Sequence, residues 1–406
     1  MRKTIALVAT LDTKGREAQF IKSIITKNGI NCILIDVGLL GKPLTRPDIT
    51  NIDVIKKAGE KHADLVKNPK RSIANPILSK GATRIVLNLI NKGRIHGIIS
   101  IGGSQGTAIG TYVMRQLPIG FPKLMVSTMA SGDVRHYVDT CDITMMYSVS
   151  DISGLNFITT KILENAANAI SGMVKNRQSV GNNRQKTLAL TMYGSTTPCV
   201  TRAAERLRHL GYEVIIFHAS GPGGKAMENL IFGGKIDGVL DLTIGEVSNE
   251  YMGGIQSTGP IRLTQAAKMR IPLIVVPGGA CTCVFGPKGT VPKKYQKRTL
   301  IIHNPSTTLI RANRHEAAKI GKIIAQRMNL HKGRNMLIIP ELAFCCYYEK
   351  GMPFHNPQAD KALIDAITRN LTGNTIIEKY ALRINDPAFA DIVADKMNRL
   401  MKNESV

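Results

Sequence analysis

The chain contains no tryptophan, and aromatic residues make up only 5% of its 406 residues. That scarcity removes the ring platforms on which single-stranded nucleic acid stacks. Acidic side chains are also few: 29 Asp and Glu stand against 54 Lys and Arg, a formal net charge of +25. Such an excess raises nucleic acid as a partner. The basic residues are dispersed, as at Lys22, Lys27, Lys56, Lys57, Lys61, Lys293, Lys294 and Lys297, and form no tail. Compositional drift is the expectation, with nucleic acid bound only non-specifically. No apolar run approaches the roughly 20 residues of a membrane span, so no membrane role is expected. The opening "MRKTIALVATLDTKG" meets Asp12 and Lys14 too soon for a secretion signal and offers no small-residue cleavage site. Seven cysteines, at 32, 141, 199, 281, 283, 345 and 346, match no zinc or disulfide spacing. Buried thiols in a reducing cytoplasm, and no metal site, follow from that.

What the sequence does have is alternation. "KTIALVAT", "NCILIDVG", "GIISIGG", "PKLMVST" and "ITMMYS" read as strands, and helical patterns over 17–27, 107–116 and 156–175 fall between or after them. Continuous apolar strands alternating with amphipathic helices imply a parallel sheet covered on both faces. A polar Asn/Gly-rich stretch follows, and the pattern then restarts. "TLALTMYG", "YEVIIFHASGPGG", "IDGVLDLT", "PLIVVPGG", "RTLIIHN", "NMLIIPE" and "NTIIEKYAL" read as further strands. The expected architecture is α/β: two Rossmann-like, doubly wound parallel-sheet subdomains, 1–178 and 187–406, joined by a linker at 179–186.

In such sheets ligands bind beyond the carboxyl ends of the strands. Three loops of the first subdomain suit phosphate there. "TLDTKG" supplies Thr10, Asp12, Thr13 and Lys14 at a helix start, where free N–H groups favour anions. "GGSQGT" supplies Gly102, Gly103, Ser104, Gly106 and Thr107, its glycines permitting positive φ and close backbone approach. It matches neither a Walker loop nor G-x-G-x-x-G. "STMASGDVRHYV" supplies Thr128, Ser131, Gly132, Asp133 and Arg135, a polar nest with a forked cation and a carboxylate able to hold magnesium through water. Each loop alone reads equally as a capped helix entry. Together they point to a nucleotide or phosphorylated ligand. In the second half His218 closes a strand beside glycines, and Ser195, Thr196 and Glu246 follow other strands. No nucleophile–base set can be assigned by spacing, so Asp133, His218 and Glu246 stand only as candidates for chemistry.

The blocks "TLDTKG", "GGSQGT", "VSTMASGDVRHYV", "LTMYGSTTPCVTR", "FHASGPGGKAMENLI", "HNPSTTLIR" and "GMPFHNPQAD", in this order, resemble a family of bacterial and fungal proteins related to the N-terminal region of a plant tobamovirus-resistance protein. The resemblance implies two Rossmann-like subdomains, ATP binding through the first-half loops and a homodimer. This chain departs from that family's pattern in its second half. An acidic residue is usual where Ile261 stands, an Asp and an Asn where Cys281 and Val284 stand, and a Ser and an Asp within "FCCYY", which holds Cys345 and Tyr348. The expectation is an ATP-binding protein with magnesium as companion ion and a second small-molecule ligand between the subdomains. Two alternatives stay open: an ATP- or phosphate-dependent enzyme acting on a small carbon compound, and a basic interaction protein docking RNA or an acidic partner.

Overall fold

The computed structural model describes residues 2–67, 70–176 and 185–404. The chain divides into two compact units, Met1–Val180 and Gly181–Val406. The linker expected at 179–186 lies, up to residue 184, outside the described residues. No helix among the described residues is long and apolar enough to cross a membrane.

The first unit is built on five parallel strands, β1 Thr4–Ala9, β2 Asn31–Asp36, β3 Gly97–Gly102, β4 Lys123–Ser127 and β5 Thr144–Tyr147, in the order β2-β1-β3-β4-β5. β1, β3 and β4 are buried along their whole length. This is why they read as unbroken apolar runs rather than alternating ones. Successive side chains leave a strand on opposite faces. Ala6, Val8, Ile98 and Met125 pack under helices Asn51–Ala58, Arg71–Asn91 and Ser104–Arg115. Ile5, Leu7, Ile99 and Val126 pack under Leu11–Lys27 and Phe157–Lys175.

Two features depart from the sequence reading. The first helix starts at Leu11 rather than near residue 17, so "LDTKG" is its opening turn, with Lys14 kinked out of helical geometry at φ −122°. Leu11 is fully buried, and its N–H donates to the Asp36 carboxylate at 3.0 Å. Core packing thus draws a polar-looking segment into helix. The helices between β2 and β3 were also not read from the sequence. There Gly81 is the contact point: a Cβ on it would lie 1.9 Å from the Val54 carbonyl oxygen.

The second unit repeats this winding and adds to it. Its strands are β6 Thr187–Met192, β7 Glu213–His218, β8 Gly238–Thr243, β9 Leu273–Gly278, β10 Thr282–Phe285, β11 Leu300–Asn304, β12 Thr307–Arg311, β13 Asn335–Pro340 and β14 Ile376–Tyr380. Six form a parallel sheet in the order β14-β13-β9-β8-β6-β7. Both main sheets therefore place their second strand outside their first and step the third to the first strand's other side. "RTLIIHN" is not part of that sheet. It is β11, paired antiparallel with β12, and "HNPSTTLIR" carries the turn and β12 itself. β10 completes this small antiparallel sheet, inserted between β9 and β13.

A charged cluster is sealed in the second unit. Arg262, 0% exposed, meets Asp241 at 2.5 and 2.7 Å, Glu246 at 2.5 Å and Glu228 at 3.4 Å. Backbone N–H groups of Gly221 and Gly224 also donate to Glu246, and those of Leu263 and Gln265 to Glu228. Four segments of chain are thereby tied to one guanidinium.

His331, in the turn before β13, is fixed as a neutral ring. Its Nε2–H donates to the Ile271 carbonyl at 2.8 Å, and its Nδ1 accepts from the Gly333 N–H at 3.1 Å. Burial holds its pKa below the ordinary 6.5. A histidine depressed in the folded state contributes stability above its unfolded pKa and loses it as pH falls through the folded value. The thermal midpoint of the wild-type chain should therefore drop more between pH 7 and pH 5 than that of His331→Gln. Parallel pH profiles of the two proteins test this, and superimposable profiles would remove His331 as a cause.

Candidate functional site

In the first unit the strand order reverses between β1 and β3, the place where open parallel sheets leave a crevice. A cleft of about 310 Å³ opens there. Thr10, Asp12, Thr13 and Lys14 line it from the end of β1, and Gly103, Ser104, Gln105 and Gly106 from the end of β3. Gly38, Leu39 and Leu40 line it beyond β2, and Arg71 joins from the start of its helix. Two of the three loops singled out by sequence are thus brought together.

Both walls are helix starts. Thr10 and Gly103 are the N-cap residues of helices Leu11–Lys27 and Ser104–Arg115, and neither makes a side-chain cap bond. Helix geometry leaves the N–H groups of Ser104, Gln105 and Gly106 without intrahelical acceptors. The Thr10 and Thr13 hydroxyls pair at 2.9 Å. Lys14 brings an ammonium to the cleft, tethered to the Ile152 carbonyl. Asp12 accepts from the Leu40 and Gly41 N–H groups, each at 3.3 Å. That bond fastens the β2 loop and makes Asp12 part of the cleft's frame.

Asp36 and Arg71 were missed by the sequence reading. Asp36 closes β2 and accepts from both Leu11 N–H and Gly38 N–H. Burial pushes its carboxyl above the usual range, against the pull of those two bonds. A carboxylate ending an apolar strand next to β1, as in "ILIDVG", was the available signal. Arg71 carried none, because its helix was not recognised.

The remaining candidates sit otherwise. Thr107 is fully buried; its hydroxyl pairs with Ser127 at 2.6 Å and lies 3.3 Å from the Gly102 carbonyl, so it braces β3 against β4 and is not free for a ligand. Gly102 and Gly103 do not use positive φ. Gly102 is required for contact, since a Cβ there would lie 2.7 Å from Gly106 Cα. Thr128 stays beside the site, its Oγ1 3.7 Å from where a Cβ on Gly103 would stand. Ser131, Gly132, Asp133 and Arg135 do not line the cleft. Asp133 and Arg135 are exposed and grip each other at 2.9 and 2.7 Å. The guanidinium holds the Asp133 carboxyl well below the usual range.

The second unit has a cleft of its own, about 470 Å³, beyond β6 and β7. Tyr193, Gly194, Ser195 and His218 form one side, and the inserted sheet forms the other through Thr282, Val284, Thr307 and Leu309. Glu246 does not reach it. That carboxylate, one of three candidates for chemistry, is fully buried in the Arg262 cluster and serves there as a structural anchor. Of the positions that the resemblance marks as departures, Cys281, Val284, Cys345 and Tyr348 lie at or near this cleft. The Tyr348 hydroxyl contacts Thr282 Oγ1 at 2.7 Å and the Cys281 N–H at 3.1 Å, the Tyr348 N–H donates to the Cys345 carbonyl, and Val284 is on the wall. Burial drives the Cys281 thiol up to about 12, so it is inert as a nucleophile. Among the described residues no group of three or more His, Cys, Asp or Glu could hold a metal ion.

Comparison with known proteins agrees with the two-unit division. A UPF0261 protein of Clostridium tetani is 43% identical over 403 residues, 99% of this chain and 100% of that protein. A UPF0261 protein of Rhizobium meliloti is 38% identical over 96% of this chain and 97% of its own length. The tomato mosaic virus resistance protein Tm-1 of Solanum lycopersicum is 35% identical over 80% of this chain, a match spanning 44% of that longer protein. The N-terminal domain of the uncharacterised protein family UPF0261 matches residues 3–179 and its C-terminal domain residues 185–401, and the chain belongs to that family.

Proposed function

We propose that the protein binds a nucleotide, with ATP the leading candidate, through phosphates seated in the first unit's cleft. The observation that carries this is the meeting of two helix N-termini, neither capped by the side chain of its own N-cap residue, at the switch in strand order. Both bring the positive end of a helix dipole, and the second leaves the N–H groups of Ser104, Gln105 and Gly106 without intrahelical acceptors, whereas those of Leu11 and Thr13 in the first are already bonded to Asp36 and Thr10. Lys14 and Arg71 add charge of the same sign. The side chains that could crowd a phosphate are absent at Gly38, Gly103 and Gly106. A volume of about 310 Å³ is at the small end of ligand sites, suited to the phosphate portion with the base extending outward. Magnesium would arrive on the phosphates, with Asp12 the acid of the cleft nearest to serve it through water. A homodimer belongs to the same proposal and is read from the protein's mass in solution.

Calorimetric titration with ATP tests the site. The Gly103→Val, Ser104→Ala double variant fills the backbone approach and removes one hydroxyl. It should bind at least tenfold more weakly, a loss of about 1.4 kcal/mol. Equal affinity in the two proteins would refute this site.

A further inference from the structure

We infer that the second unit carries a separate binding site for an uncharged, hydroxyl-rich small molecule of the sugar class, held in the cleft between His218 and the inserted antiparallel sheet. The first observation is charge. One residue in five of this chain is charged, 20%, yet none of those lining this cleft is Asp, Glu, Lys or Arg. A site built for phosphate or carboxylate in so basic a protein would be expected to recruit a cation.

The second observation is unmet hydrogen-bonding capacity. Tyr193 and Gln256 both line the cleft, and Tyr193 is only 8% exposed. The Tyr193 hydroxyl and the Gln256 amide oxygen are buried and have no hydrogen-bond partner. A buried polar group left unpaired is costly, and a bound hydroxyl would offset that. His218 adds a defined acceptor. Its Nδ1–H donates to the Met192 carbonyl at 3.1 Å, which leaves the lone pair on Nε2. Ser195, Asn304 and Thr307 extend the polar wall.

The third observation is the opposite wall. Val284, Leu309 and Tyr347 offer an apolar surface to the same space. A ring with hydroxyls on its edge and C–H groups on its face matches such a division. About 470 Å³ is within the usual range for small-molecule sites and leaves room for more than one sugar ring.

Saturation-transfer NMR on the full chain tests this, with D-ribose, D-glucose and sucrose as probes and ribose 5-phosphate, glucose 6-phosphate and gluconate as charged counterparts. At least one neutral sugar should receive saturation. The signal should fall at least fivefold in His218→Ala and in Gln256→Leu, and should persist in Gly103→Val, Ser104→Ala, which alters only the first unit. If either substitution lowers the thermal midpoint, Thr307→Leu, which narrows the cleft from β12, takes its place. Absence of transfer to every neutral probe overturns the inference. So does stronger binding of a charged counterpart, or undiminished binding in the cleft variants. Failure of the wild-type chain to bind ATP, with sugar binding retained, would instead count against the first-unit site alone.

Discussion

Replacing Arg262 with methionine is expected to destabilise the second unit by about 3–5 kcal/mol, the range for breaking a buried ion pair by removing one partner. For a unit of this size that corresponds to a fall in thermal midpoint of roughly 6–20 °C. The side chain's volume is largely kept, so the loss is electrostatic. Asp241, Glu246 and Glu228 would be left with no cation, each at most 2% exposed on its side chain. The variant's pH dependence distinguishes this cause from a packing defect. Burial already raises the Glu228 carboxyl in the native protein, despite Arg262 beside it. Without Arg262, the Leu263 and Gln265 N–H bonds are left to oppose burial there. An acid whose folded pKa lies above its unfolded value of about 4.3 stabilises the fold below that value and ceases to as pH rises through the folded pKa. The deficit of Arg262→Met should therefore be largest at neutral pH and shrink on acidification toward pH 5. Adding Glu228→Gln should recover part of it at pH 7, because one uncompensated charge is removed. Chemical denaturation of the single and double variants measures both effects. A pH-independent deficit with simple additivity would show that charge is not the cause.

The fold was legible because its signal is local and repeated. Fully buried strands such as "TIALVA" and "GIISIG" can be seen as apolar runs without knowing their neighbours. What was missed depends on partners distant in sequence. Leu11 is helical because it packs under the sheet and donates to Asp36, 25 residues on. "TCVF" and "TTLIR" become strands by pairing with each other, and no stretch of either is long enough to declare it. The lining of the candidate cleft was legible where a loop follows a strand directly, as at Thr10–Lys14 and Gly103–Gly106. It was misjudged where function and framework use the same residue types. Thr107 and Glu246 occupy plausible positions for ligand contact, but the structure commits both to buried hydrogen bonds. Asp133 and Arg135 look like a phosphate clamp in sequence and turn out to clamp each other. The reverse error is Gln256, an unremarkable residue in "GGIQST" whose buried amide oxygen has no partner.

The adjoining glycines of "GGSQGT" should separate framework from binding. Gly102→Ala places a methyl carbon 2.7 Å from Gly106 Cα, a contact with backbone that no rotamer change relieves. Either β3 or the start of helix Ser104–Arg115 must move. Overpacking of this kind costs about 1–3 kcal/mol, and the shift is applied to the N–H groups proposed to hold phosphate. Gly102→Ala should thus lose both stability and at least tenfold in ATP affinity. Gly103→Ala meets only the Thr128 hydroxyl, at an ordinary 3.7 Å, and its φ of −75° suits any L-residue. It should fold with an unchanged midpoint and lose affinity alone, by the volume of one methyl at the cleft wall. The two variants differ by one position in sequence and by opposite roles in space. If Gly103→Ala binds ATP as the wild type does while Gly102→Ala merely unfolds sooner, the glycines serve the turn, and the phosphates must be held elsewhere. If both lose affinity and only Gly102→Ala loses stability, the helix start itself is the phosphate seat, with Gly102 setting its position and Gly103 leaving it open.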